Sequence, residues 1–114
     1  MDIEALRNAL RAFAAARDWD QFHSPKNLAM ALAGEAGELL ENFQWLTEEQ
    51  SRNPSPEVLS AAGEEIADVL LYLIRLSDKL GIDPIAAANA KMLANAQKYP
   101  VHKARGTARK YTEL

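Results

Sequence analysis

Apolar residues recur along this chain at helical rather than strand spacing. Ile3, Leu6, Leu10 and Phe13 share one face and predict a first helix from about Asp2 to Arg17. The polar stretch DWDQFHSPKN interrupts it. Ser24 followed by Pro25 pairs an N-cap with a proline at the first helical position, and predicts a second helix running to about Leu46. Ser55 and Pro56 repeat the device and open a third helix that Gly81 closes after Leu80. Asp83 and Pro84 start a fourth, ending near Tyr99 and Pro100. Residues 101–114 carry His102, Lys103, Arg105, Arg109 and Lys110 with no strong period. The expectation is an all-α, four-helix bundle forming a single domain over residues 1–114.

The second and third helices read as copies offset by thirty residues. Leu28, Ala31, Glu35, Glu38 and Asn42 answer to Val58, Ala61, Glu65, Asp68 and Tyr72. A short connection would leave two such helices as antiparallel neighbours, with their acids at equivalent heights.

Those acids interrupt apolar stripes. At about 100° per residue, Glu35 and Glu38 fall in line with Leu28 and Ala31, and Glu65 and Asp68 fall in line with Val58, Ala61 and Leu76. Spacing of i, i+3 projects both carboxylates of each pair the same way. One such pair is common on a solvated face. Here both helices also carry large apolar residues elsewhere, namely Leu39, Leu40 and Phe43, and Ile66, Leu70, Leu71 and Ile74. Gathering four carboxylates in a partly buried groove costs several kcal/mol per uncompensated charge. With no Arg or Lys read onto these stripes, a divalent cation is the economical partner. Carboxylate-only ligation suits Mg²⁺, or Mn²⁺. The Glu-x-x-His pattern of di-iron bundles and the Asp-x-Asp-x-Asp-Gly pattern of calcium loops are both missing.

Composition narrows the classes further. The 114 residues are 48% hydrophobic and 25% charged, too apolar for a disordered chain. A net charge of −3 argues against a nucleic-acid polymer as partner. Cysteine is absent, which excludes disulfides and thiolate metal sites. No secretory signal and no span of ~18 apolar residues is visible, so the expected address is the cytoplasm, without a membrane. The second and third helices are apolar on more faces than one small bundle covers, which predicts a homo-oligomer.

Magnesium on a few carboxylates usually keeps waters and meets substrate phosphates. Lys91, Asn95 and Lys98, at i, i+4 and i+7 of the fourth helix, could meet those phosphates. Trp19, Phe22, Trp45 and Tyr72 could wall a flat ligand. The rival readings are a non-catalytic helical interaction module, its acids facing water or a basic partner, and a nucleotide sensor without turnover.

Glu35-Ala36-Gly37-Glu38 followed by Glu65-Ile66-Ala67-Asp68 resembles the signature of the MazG-like all-α nucleotide pyrophosphohydrolases. RDWDQFHSPKNL, ELLENFQW, EEIADVLLYLI, KMLANAQKYP and ARKYTEL resemble the dCTP pyrophosphatase branch, over nearly the whole chain from Phe13 onward. The resemblance implies Mg²⁺-dependent hydrolysis of a nucleoside triphosphate between its α and β phosphates, by a tetramer built as a dimer of dimers. It implies Glu35, Glu38, Glu65 and Asp68 as metal ligands; a carboxylate that does not fully engage a metal can accept the proton of the attacking water, and Glu38 or Glu35 is the expected acceptor. Trp19, Phe22, His23, Trp45 and Tyr72 would line the base and sugar pocket, and Lys91, Asn95 and Lys98 would meet sugar or phosphates. The branch can offer a histidine from the first helix where Leu10 stands here. The implied preference is for pyrimidine deoxynucleotides, dCTP first, with looser discrimination.

Overall fold

The computed structural model describes residues 1–114. It is helical and contains no strand: α1 (Ile3–Ala16), α2 (Pro25–Glu41), α3 (Glu48–Arg52), α4 (Pro56–Leu80), α5 (Pro84–Lys98) and α6 (Val101–Ala104), with 3₁₀ turns at Asp20–Phe22 and Tyr111–Glu113. The chain divides into two compact units, Met1–Gly81 and Ile82–Leu114.

In the first unit the helix starts lie where the capping chemistry puts them. The amide of Ala5 donates to Asp2, that of Asn27 to the Ser24 hydroxyl and that of Val58 to the Ser55 hydroxyl, at 2.8, 3.2 and 3.2 Å. Gly81 ends α4 at a φ of +67°, a left-handed conformation that favours glycine. Two expectations change. The second helix stops at Glu41 rather than near Leu46, because the chain turns tightly there. The amides of Phe43 and Gln44 both fold back on the Leu40 carbonyl, each at 2.9 Å, and the Asn42 side chain caps the Glu38 carbonyl at 3.2 Å. A short helix, α3, then forms between the second and third of the expected helices. Thr47 and Gln50 build a capping box around its first turn, with bonds of 3.1 and 3.0 Å. The count is therefore six helices, four long and two short. A helix of four or five residues is too short to display a hydrophobic period, so pattern alone passes over it.

α4 is the organising element of this unit, with α2 packed along it and α1 against it. Asp20 and His23, just before α2, meet Arg75 late in α4, whereas Glu35 and Glu38, further along α2, meet Glu65 earlier in α4. The two helices thus run antiparallel. The core they enclose is thin: Ala14, Leu28, Ala62 and Ile74 are its buried apolar residues.

In the second unit Asp83 caps α5 through the amides of Ile85 and Ala86, at 3.0 and 3.1 Å. The stretch from Val101 onward, read as unperiodic, contains α6 and the final 3₁₀ turn. Tyr111 on that turn stands edge-on to Tyr99 at 5.9 Å, and the Lys98 ammonium lies 4.9 Å from the Tyr111 ring centre. These contacts fold the C-terminal end back onto the end of α5. No helix of the chain is long and apolar enough to cross a membrane.

Candidate metal centre and adjoining pocket

Antiparallel packing of two helices with matching acid pairs brings the equivalent residues Glu35 and Glu65 face to face. Oxygens from Glu35, Glu38 and Glu65 lie within 4.8 Å of one another. One oxygen of Glu35 and one of Glu65 are shielded from solvent and have no hydrogen-bond partner. Hydrogen bonding with Glu38, burial and Glu65 push the Glu35 carboxyl up to about 7. Burial raises Glu65 as well, with the charges of Glu38 and Asp68 adding to it. Three converging carboxylates that repel one another, two with orphaned buried oxygens, are a donor set that fits a hard divalent cation. Asp68 stands outside the triplet, yet its charge raises both Glu35 and Glu65.

Asp68 also belongs to the wall of a pocket of about 170 Å³, so pocket and carboxylate cluster adjoin. Trp19, His23 and Tyr72 line this pocket together with Leu10 and Phe13 of α1. Trp19 stands edge-on to Phe13 at 5.7 Å and to His23 at 6.4 Å. Asp18, at a φ of +54°, makes the reversal that carries the chain from α1 into this aromatic turn. The Gln21 side chain braces it from both the carbonyl and the carboxylate of Asp18, at 3.0 and 3.1 Å.

A group that the sequence pattern missed closes the pocket. Arg75 is 5% exposed and lines it. Its guanidinium donates to Asp20 and to Nδ1 of His23, the latter at 3.1 Å, and lies 3.6 Å from Asp78. Lys79 also reaches Asp20 at 3.1 Å, and Arg11 of α1 grips Asp78 through two bonds of 2.7 and 2.5 Å. The hydrogen bond from Lys79 holds Asp20 below the usual carboxylate range, and that from Arg11 does so for Asp78. This corrects the reading that no Arg lies on the acid stripes. Arg75 is two helical turns beyond Asp68 and three residues beyond Tyr72, so it projects within about 20° of Asp68. The signal was the same periodicity, carried one turn further. Its charge is spent on Asp20 and Asp78, so the glutamates remain without a protein cation.

The remaining expected site residues are not among those that line the pocket. Phe22 and Trp45 are 59% and 87% exposed and do not line the pocket. Phe22 ends the 3₁₀ turn, and Trp45 lies beyond the early end of α2. Lys91, Asn95 and Lys98 all lie on α5, in the second unit. Lys98 there faces the Tyr111 ring.

The model of the MazG-like family matches residues 31–114. dCTP pyrophosphatase 1 from Homo sapiens is 46% identical over 114 aligned residues, which cover 98% of this chain and 67% of that protein. The Mus musculus protein of the same name is 47% identical over the same shares. The crystal structure of a pyrophosphatase from Archaeoglobus fulgidus superposes with a TM-score of 0.77 at 44% identity, covering 85% of this chain and 91% of the other.

Proposed function

The chain belongs to the MazG-like family, and on that premise we propose that it is a nucleoside triphosphate pyrophosphohydrolase that takes dCTP and related pyrimidine deoxynucleotides to the monophosphate and pyrophosphate. The observation that carries this reading is the convergence of Glu35, Glu38 and Glu65 within 4.8 Å, two of them with orphaned buried oxygens, beside a pocket walled by aromatic rings.

Glu35, Glu38 and Glu65 would hold Mg²⁺, or Mn²⁺, and Asp68 would complete the set from the pocket side. A cation bound there supplies charge compensation to phosphate oxygens and lowers the pKa of water. Phosphoryl transfer leaves the protein mainly the work of positioning. Glu35 or Glu38 would take up the proton of the attacking water. Trp19, Tyr72 and Phe13 offer ring faces and edges to a base, worth about 1–3 kcal/mol for a stacked base but blind to its identity. Lys91, Asn95 and Lys98 would contact sugar or phosphates, with Phe22 and Trp45 as further aromatic surface for the base. Leu10 presents an apolar group to the pocket where the branch can offer a histidine, so discrimination among bases is looser.

The test is a panel of dCTP, dTTP, dUTP, dATP and dGTP with Mg²⁺, resolving monophosphate from diphosphate products. Monophosphate plus pyrophosphate, with dCTP highest in kcat/KM, is the expected result. A purine at the top would overturn the base assignment, and the absence of any turnover would leave an interaction module or a sensor. Glu38→Gln and Asp68→Asn should each abolish turnover while leaving the helical circular-dichroism spectrum unchanged. Activity within a few-fold of wild type would remove these carboxylates from the metal site.

A further inference from the structure

Arg75 is costly to bury, and its bonds go beyond charge pairing. Taking a guanidinium out of water is compensated only when its donors are met, and here Asp20 and Asp78 serve that purpose. The bond to His23 adds no charge compensation. It does fix a proton. Arginine has only donors and stays protonated, so a ring nitrogen that accepts from it carries no hydrogen. With Nδ1 of His23 accepting from Arg75 Nε at 3.1 Å, the neutral imidazole holds its hydrogen on Nε2.

We infer that Arg75 is a positioning residue that locks His23 in the Nε2–H tautomer, so that the pocket presents a hydrogen-bond donor to its ligand there and selects a base edge carrying a carbonyl-oxygen or ring-nitrogen acceptor. The inference rests on the reading of the pocket as a nucleotide-base site. His23 lines that pocket and has spent Nδ1, which leaves Nε2 as its one remaining polar atom. Burial and the Arg75 charge depress its pKa, and both favour the neutral ring. An exocyclic amine placed against Nε2–H would set donor against donor and leave two buried hydrogens unpaired. The ring is also held in place. Asp20 and His23 belong to the same turn, and Arg75 grips both, so one α4 side chain sets the position and the protonation of the reading group together.

The chain has two histidines, so long-range ¹H–¹⁵N spectra of the full-length protein report His23 beside His102 as an internal reference. The expected spectrum gives His23 an unprotonated Nδ1 and a protonated Nε2, rather than the averaged pattern of two exchanging tautomers. A proton on Nδ1 of His23 overturns the inference without any variant or substrate. In Arg75→Met, which keeps most of the volume, His23 should drift toward the averaged pattern and KM for dCTP should rise roughly tenfold, the effect of losing one buried hydrogen bond, with kcat little changed. His23→Phe should raise KM by a similar factor. In the double variant the two increases should not multiply, because both remove the same donor. An Arg75 that merely braces the fold predicts an unchanged His23 spectrum or fully multiplicative KM effects, and either result overturns the proposal. If Arg75→Met does not fold, the wild-type spectrum and the His23→Phe kinetics still decide. A chain that hydrolyses no nucleotide would sink the proposed activity, whereas the wild-type spectrum tests the tautomer lock independently of it.

Discussion

Glu35 is held against two other carboxylates, and its protonation couples the site to the stability of the metal-free protein. Its carboxyl is raised from 4.5 to about 7 in the fold. A group raised in this way contributes stability in full below its unfolded value and loses it as pH climbs through the folded one. The chelated protein should therefore weaken between about pH 4.5 and pH 7 relative to Glu35→Gln, in which nothing titrates at that position. His23, with its pKa depressed below 6.5, acts in the opposite sense below that pH, which is why the comparison is with the variant rather than with wild type at another pH. Melting temperatures of both proteins in a chelator across this range should show a gap in favour of the variant that widens with pH. Added Mg²⁺ should raise wild type and leave the variant nearly unmoved. A gap that stays constant with pH would mean that Glu35 titrates normally.

At the scale of elements, α4 carries the greatest share of the chemistry: Glu65, Asp68, Tyr72 and Arg75 all project from it. Its two ends are fixed by ordinary means, the Ser55 hydroxyl at the start and Gly81 at a φ of +67° at the end. Ser55→Ala should cost about 1 kcal/mol by removing the cap. Gly81→Ala should cost about 1–2 kcal/mol, because a side chain is strained in the left-handed region although space for one exists. Both changes lie outside the pocket lining, so denaturation midpoints should fall while KM and kcat hold. A loss of kcat in either folded variant would show that the acid cluster depends on the helix ends as well as on the crossing of α2 and α4.

For the molecule as a whole, the disproportion between core and surface governs what to expect. Four apolar residues are buried, whereas Leu59, Ile66, Leu70 and Leu73 of α4 are exposed, as are Met92 and Leu93 of α5. Exposed apolar surface of this kind is a general mark of interfaces between chains. The partner we expect is a second copy, in a homo-oligomer that the resemblance sharpens to a tetramer. Light scattering at micromolar concentration should give a multiple of the 12.6 kDa chain mass, and a monomer there would overturn the expectation. Ile66→Glu, away from the pocket lining, should lower the assembly order.

Helix starts, the all-helical class and the acid pairs were legible because each rests on local chemistry: a capping hydroxyl before a proline, a period near 3.6, two carboxylates one turn apart. Short α3 and α6 were not legible, since a few residues cannot show a period. The site divides along the same line. Periodicity alone put Glu35, Glu38, Glu65 and Asp68 on inward stripes, but only packing decided that Glu35, Glu38 and Glu65 converge while Asp68 turns to the pocket. Trp19, His23 and Tyr72 meet there because Asp18 reverses the chain and α4 passes beneath. The role of Arg75 is mainly tertiary: Asp78, three residues on, is a local partner on its own helix, but His23 and Asp20 lie 52 and 55 residues before it, and no local rule brings those two to it. A stripe states which way a side chain points along its own helix. What it meets there depends on how the helices cross, and that is settled by the packing of the whole unit.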